Sequence, residues 1–261
     1  MKKIMFWTLL GAMVLLPACQ SANEKELKVR LAELELSDGQ NRAAISIDLP
    51  EGSNKQLNQA IMEYVNEMLG GSYKGALTDG DSLIRFYAQG MLDELKDMHS
   101  DVEDNMEYTN EATMRKGYEN GQIVTYEVGM ETFAGGAHGY GIAGGVTFRK
   151  SDGRRIDKNI LPANIDENSE WKKLMKEGMK AYFDVKTDDE MQEMLDVDIN
   201  DLPMPESNAY FTAVGMVLPY QSYEIACYAS GRPETVIPYD KLEQFVNATG
   251  REIFYNDKEK K

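Results

Sequence analysis

The amino-acid sequence predicts an α+β protein with antiparallel sheets, packed helices and two small α/β subdomains. Strand-like and helix-like segments occur in blocks along the chain rather than in strict alternation, which is typical of this class. The strongest local signal is Asn120-Gly121, a turn dipeptide between two strand-like segments. This dipeptide predicts a β-hairpin.

Apolar periodicity predicts the first elements. Residues 27–31 and 45–49 alternate between apolar and polar side chains, as half-buried strands do. Ser53 and Gln56 form a capping-box pattern that opens a helix, and the glycine pair at Gly70 ends it. The other predicted elements are a helix over about 82–99, strands over about 106–118, 122–133 and 145–150, helices over about 168–183 and 187–195, strands at 209–212, 216–219 and 235–237, and a short helix at 240–247.

The first 19 residues have the pattern of a bacterial lipoprotein signal peptide. Lys2 and Lys3 precede an uncharged apolar run, which Ala18-Cys19 closes. The run is shorter than the roughly 20 residues that a membrane-spanning helix needs. We therefore expect acylation of Cys19, a polar tether over 20–26, and a mature protein held by acyl chains such as palmitate. Its expected location is the cell envelope, at the outer membrane or the periplasmic face of a membrane.

Composition excludes several classes of function. The formal net charge is −16, and it becomes more negative when Lys2 and Lys3 leave with the signal peptide. This acidity argues against binding nucleic acid, which needs a basic stripe, and against lying flat on anionic lipid. The two histidines and one remaining cysteine are too few for a zinc site without carboxylates. We expect no metal and no cofactor.

Cys227 is the one cysteine left after acylation of Cys19, so no intrachain disulfide is expected. Its neighbours Ile225 and Ala226 predict a buried, free and poorly reactive thiol. A nucleophilic pair of Cys227 with His138 is the alternative.

A glycine-rich turn is the first candidate site. It contains Gly135, Gly136, His138 and Tyr140. Glycines allow close backbone approach, and His138 could act as a base, a ligand or a hydrogen-bond anchor. The alternative is a wide hairpin connection with a buried, hydrogen-bonded histidine that stabilises the turn and takes no part in catalysis.

A tyrosine-rich segment is the second candidate site, with Tyr220, Tyr223, Glu224 and Tyr228. These rings could form a stacking wall for a sugar or a peptide, or they could be a core set with hydroxyls at the rim. If the segment is a strand, Tyr220, Glu224 and Tyr228 share one face and Tyr223 lies on the other.

The string Tyr223-Glu224-Ile225-Ala226, followed by Val236-Ile237-Pro238-Tyr239, resembles the C-terminal signature of a bacterial extracytoplasmic domain family of unknown function. That family is shared by the anti-sigma-V factor, a lysozyme receptor, and by a peptidoglycan deacetylase. The Gly135–His138 turn, followed by Asp152-Gly153, is similar to the start of the family. Cys227 departs from the pattern, since it stands where proline is expected.

The resemblance implies a C-terminal α+β domain over 124–247, preceded by an N-terminal α+β domain over 27–123 and followed by a charged tail over 248–261. It supplies no catalytic residues. The chain also shows no deacetylase module, and no transmembrane or cytoplasmic segment is recognised in it.

Three functions remain open from the sequence. The leading interpretation is a non-enzymatic envelope lipoprotein that binds a peptidoglycan fragment or a lysozyme-like protein. Its working face is expected between the turn at 135–140 and the segment 220–228. The alternatives are an envelope hydrolase that uses His138 and a structural module that docks on another protein.

Overall fold

The computed structural model describes residues 26–99 and 105–255. Cys19 and most of the predicted tether therefore lie outside the described residues. The described chain forms an α+β fold with a six-stranded and a three-stranded sheet, as predicted. None of the helices in these two ranges is long and apolar enough to cross a membrane.

The large sheet has its strands in chain order. They are β1 (Val29–Asp38), β2 (Asn41–Pro50), β3 (Tyr108–Glu119), β4 (Ile123–Phe133), β5 (Tyr140–Arg149) and β6 (Arg155–Ile156). Neighbours are antiparallel except β2 and β3, which are parallel. A parallel pair needs a long crossover connection, and two helices provide it here.

The two crossover helices cover one face of the large sheet. They are α1 (Lys55–Met68) and α2 (Gly80–Met98). Even-numbered residues of β3 such as Ala112 and Met114 enter this core, so the odd-numbered ones lie on the opposite, outer face. The N-cap of α1 is Asn54, whose side chain accepts a hydrogen bond from the Leu57 N–H, and not the predicted Ser53.

The second unit has its own core against the small sheet. Its elements are α3 (Ser169–Phe183), α4 (Asp188–Gln192), β7 (Tyr210–Phe211), β8 (Gly215–Pro219), β9 (Glu234–Pro238), α5 (Tyr239–Leu242) and α6 (Ala248–Phe254). Trp171 of α3 is buried and packs edge-to-face on Phe245, with ring centroids 5.3 Å apart. Thr187 and Glu190 form the predicted capping box of α4.

Two predicted boundaries differ from the structure. A boundary between 123 and 124 would divide one sheet, because β4 pairs with β3 along nearly its whole length. Apart from Ile123, the first residue of the second core is Ile156. Along the sequence, the boundary between the two units therefore falls after β5. The predicted tail from 248 begins instead with α6, and Ile253 and Tyr255 are buried in the second core.

Candidate functional site

The two units meet at β5 and leave a cleft over the outer face of the large sheet. The Gln221 side chain accepts a hydrogen bond from the Ala143 N–H at 3.1 Å and donates one to its carbonyl at 2.8 Å. The Phe211 N–H donates to Thr147 Oγ1 at 3.0 Å. Beside these contacts the cleft has a volume of about 690 Å³.

An aromatic cluster of His138, Tyr223 and Tyr228 stands at the rim of this cleft. Tyr228 lines the cleft, and its ring stacks on that of His138 with centroids 3.8 Å apart and planes 14° apart. The Tyr223 hydroxyl is 3.1 Å from His138 Nε2, while Nδ1 lies 2.9 Å from the Gly139 carbonyl oxygen. All three residues are exposed, with Tyr223 at 58% and Tyr228 at 39%.

Local backbone geometry explains how this cluster forms. Gly135 and Gly136 have φ of 89° and 88°, which only glycine adopts without strain, in the connection between β4 and β5 that carries His138. Tyr223 has φ of 69°, an outlier for a bulky residue and a kind of strain often found at functional sites. The sequence thus identified two segments that the structure brings into contact.

The facing predicted for a strand does not apply to the tyrosine segment. Residues 222–224 form a turn rather than a strand, so side chains do not alternate there. Tyr220 is fully buried, and its hydroxyl donates to the Pro203 carbonyl at 2.6 Å. Glu224 closes the turn by accepting hydrogen bonds from the N–H groups of Gln221 and Glu206, at 2.8 and 2.7 Å.

Two further predicted placements need correction. His138 is exposed, so it does not have the predicted role of a buried, hydrogen-bonded histidine that stabilises the turn. Tyr140 is 69% exposed at the start of β5, but it makes no ring contact with the cluster.

Charged residues line the cleft floor and far wall, and the sequence analysis did not identify them. They are Arg115, Glu127, Glu131, Arg232 and Glu234. Arg232 spans the cleft to Glu131, with 2.6 Å between Nη2 and Oε1. The sequence contains a pattern that could have identified three of them. Arg115, Glu127 and Glu131 occupy odd positions of two strands whose even positions are mostly apolar, so alternation places all three on the face away from the core.

Tyr210 also lines the cleft, close to the Glu234 carboxylate. Its hydroxyl is 3.4 Å from Glu234 Oε2. Burial, together with the negative charges of Glu234 and Glu127, raises the pKa of Tyr210 well above its ordinary value. Tyr210 therefore stays protonated and donates its hydrogen bond to Glu234.

In the part of the chain that the structure describes, His138 and Cys227 make no hydrogen bond to each other. Both His138 nitrogens face Gly139 and Tyr223, as described above, and Cys227 Sγ contacts Ser230 Oγ at 3.6 Å rather than the imidazole. In residues 26–99 and 105–255, no group of three or more His, Cys, Asp or Glu side chains could hold a metal ion.

Cys227 is free, as predicted, but exposed rather than buried. Hydrogen bonds from the Ser230 hydroxyl, and then from the backbone N–H groups of Ser230 and Ala229, hold the pKa of its thiol below the ordinary value. We expect a maleimide to label native Cys227 rapidly at neutral pH, because the thiolate is the reacting form. Labelling kinetics should slow in Ser230→Ala, and equal rates in both proteins would contradict this role of Ser230.

Comparisons with known proteins agree with the fold. Residues 158–240 match the family model described as a protein of unknown function, DUF3298. This segment covers most of the second unit, and it lies within the range that the sequence resemblance assigned to the C-terminal domain. A search of curated proteins finds no match.

Two solved structures share the architecture over most of the chain. A DUF3298 family member from Bacteroides fragilis has a TM-score of 0.72 at 16% identity, covering 90% of this chain and 99% of its own. A DUF3298 family protein from Pseudomonas aeruginosa PAO1 has a TM-score of 0.61 at 18% identity, covering 87% and 97%. These similarities establish the fold of both units.

Proposed function

We propose that this chain is a lipid-anchored protein of the cell envelope that binds a ligand in the cleft and has no catalytic role. The observation that carries the proposal is the exposed cluster of His138, Tyr223 and Tyr228 at the cleft rim. Aromatic side chains are common in the lining of ligand-binding clefts. The grouping of these three exposed rings at the cleft rim, beside the strained backbone of Tyr223, supports recognition.

The lining of the cleft favours a ligand with both apolar faces and polar groups. Aromatic rings stack on the faces of sugar rings, and Tyr228 presents such a face at the cleft rim. Arginine and glutamate on the opposite walls supply donors and acceptors for amides, carboxylates and amines. A peptidoglycan fragment combines these features, since it carries sugars and a charged peptide.

A lysozyme-like protein is the second ligand to test, because the C-terminal signature resembles that of a lysozyme receptor. A cationic protein also suits the net charge of −16. The alternatives are a hydrolase that uses His138 and a docking module without a small ligand. The hydrogen bonds of His138 to neighbouring groups support binding over hydrolysis.

Calorimetry with Tyr228→Ala tests the proposal. We expect this change to weaken binding of muropeptides or lysozyme about tenfold, because one stacking face is lost. Phe86→Ala is the matched control: Phe86 is 47% exposed, but it lies on α2, across the sheet from the cleft. Binding of lysozyme should also weaken as salt is added.

The outcomes separate the three functions. If Tyr228→Ala and wild type bound the ligand with equal affinity, the aromatic cluster would not be part of the binding site. Turnover of a muropeptide that disappears in His138→Ala would establish the hydrolase instead. No heat with muropeptides, lysozyme or other glycans would leave the docking module as the better interpretation.

A further inference from the structure

Gly129 lies in the interior of β4, on the floor of the cleft. The strand register places Thr113 of β3 and Ala143 of β5 on either side of it, and both of these small residues also line the cleft. Along β4, the next residues on this face are Glu127 and Glu131, each about 7 Å away. The cleft floor is therefore bare backbone at Gly129, and we call this depression the pit.

The fold gives no reason for a glycine at this position. The φ of Gly129 is not positive, and the pairing of β4 with both neighbours continues past it without a bulge. An added Cβ would lie 3.0 Å from Thr113 Oγ1, which a side-chain rotation relieves, and 4.0 Å from the Ile142 carbonyl oxygen. At Gly145, by contrast, it would meet Tyr210 Cγ at 2.5 Å, so packing explains that glycine. A glycine inside a strand weakens it and often marks the close approach of a ligand.

The walls of the pit carry both signs of charge. Arg115 lies directly across from Glu127 in the β3–β4 register, and Arg232 pairs with Glu131. Arg115 is also held by acids of β1 and β2. An ionic group would therefore meet an attractive and a repulsive neighbour at each end of the pit. Neutral hydroxyl and amide groups suit such walls, because they donate to carboxylates and accept from guanidinium groups.

One polar group at each end of the pit has unused hydrogen-bonding capacity. Arg232 contacts Glu131 through Nη2, but its buried Nε has no acceptor in the described part of the chain. Such unpartnered buried groups are uncommon in folded proteins. At the other end, Glu127 is exposed and accepts no hydrogen bond from the described residues. A ligand that fits the pit would thus offer a donor at one end and an acceptor at the other.

We infer that the pit receives a sugar ring of an uncharged glycan, and that Gly129 sets this specificity by lacking a side chain. The inference rests on the proposed binding in the cleft and names the part of the ligand that enters it. One face of the ring lies against the peptide groups of β4. Its hydroxyl groups point toward Glu127, and an acceptor such as an acetamido oxygen points toward Arg232. Tyr228 at the rim then stacks on a neighbouring ring.

Calorimetry of the full-length chain in detergent, with an uncharged oligosaccharide of N-acetylglucosamine, tests this inference. We expect Gly129→Val to weaken binding at least about tenfold, because the valine side chain fills the pit. Its melting temperature should equal or exceed that of wild type, since valine favours strands. Gly129→Ala adds a single methyl group, so it should fold in any case and weaken binding by a smaller factor.

Ala44→Val is the matched control for these variants. It adds bulk to the same face of the large sheet, but in β2, where Ala44 pairs with Glu111 and does not line the cleft. Its affinity for the oligosaccharide should equal that of wild type.

The outcomes separate this inference from the proposed function. If both Gly129 variants bound the oligosaccharide as wild type does, the sugar ring would not enter the pit. If wild type bound lysozyme or a sugar-free stem peptide but not the oligosaccharide, the inference would be wrong while the proposed binding role would stand. If wild type bound none of the three, the proposed function would fail together with the inference.

Discussion

Glu119→Ala should lower the free energy of unfolding by about 3–5 kcal/mol, the usual effect of removing one partner of a buried ion pair. The Glu119 carboxylate is 10% exposed and accepts from Lys150 Nζ at 2.6 Å and from Lys116 Nζ at 3.0 Å. The Lys150 side chain is only 3% exposed, so its ammonium would lose a carboxylate that water cannot replace. Urea unfolding of both proteins measures the difference.

Glu26→Ala is the matched control for this prediction. Glu26 also pairs with Lys116, but it is 82% exposed, so the change should cost less than about 1 kcal/mol. Similar losses in the two variants would show that burial does not set the strength of the Glu119 pairs.

The same carboxylate should make stability depend on pH. Burial alone would raise the pKa of Glu119, but hydrogen bonds from Lys150, the Leu27 N–H and Lys116 hold it below its ordinary value. Its contribution is therefore complete above the unfolded pKa of about 4.3 and is lost as the pH falls through the lower folded value. The urea midpoint of wild type should fall more steeply below about pH 4 than that of Glu119→Gln.

Local signals in the sequence predicted most of the elements. Asn120-Gly121 predicted the β3–β4 hairpin because its connection, residues 120–122, closes through local contacts: the Asn120 side chain accepts hydrogen bonds from the Gln122 and Ile123 N–H groups. The apolar stripe of α3 and the Thr187 cap likewise depend on residues within one or two helical turns. The parallel pairing of β2 and β3 was not predicted, because periodicity does not report which strands become neighbours.

The candidate site was predicted in its segments but not in its side chains. The glycine turn and the tyrosine segment meet as expected, yet the turn with its left-handed backbone at Tyr223 places Tyr223 beside Tyr228 rather than opposite it. A strand rule cannot anticipate that turn. The Arg232–Glu131 pair joins positions far apart in sequence and across two units, so single-sequence patterns do not reveal it. The exposure of Cys227 was also not predicted. Its apolar neighbours Ile225 and Ala226 are buried, but the thiol itself is exposed.

Tyr220→Ala is expected to destabilise the protein by about 3–5 kcal/mol rather than to act on binding directly. The ring is fully buried in the second core, and its hydroxyl donates to the Pro203 carbonyl at 2.6 Å. Removing the ring leaves a cavity beside a carbonyl that has lost its donor. Thermal unfolding should show the loss, whereas Tyr228→Ala, which removes an exposed ring, should change the stability by about 1 kcal/mol or less.

Tyr220→Phe separates stability from recognition at this position. It keeps the ring and removes only the hydroxyl, so we expect a loss of about 1 kcal/mol and a protein that remains folded. Because Tyr220 does not reach the cleft surface, the folded variant should bind muropeptides or lysozyme as wild type does, while Tyr228→Ala should not. If Tyr220→Phe kept the melting temperature of wild type but lost binding, Tyr220 would belong to the recognition surface, and the division between a buried and an exposed tyrosine set would be wrong.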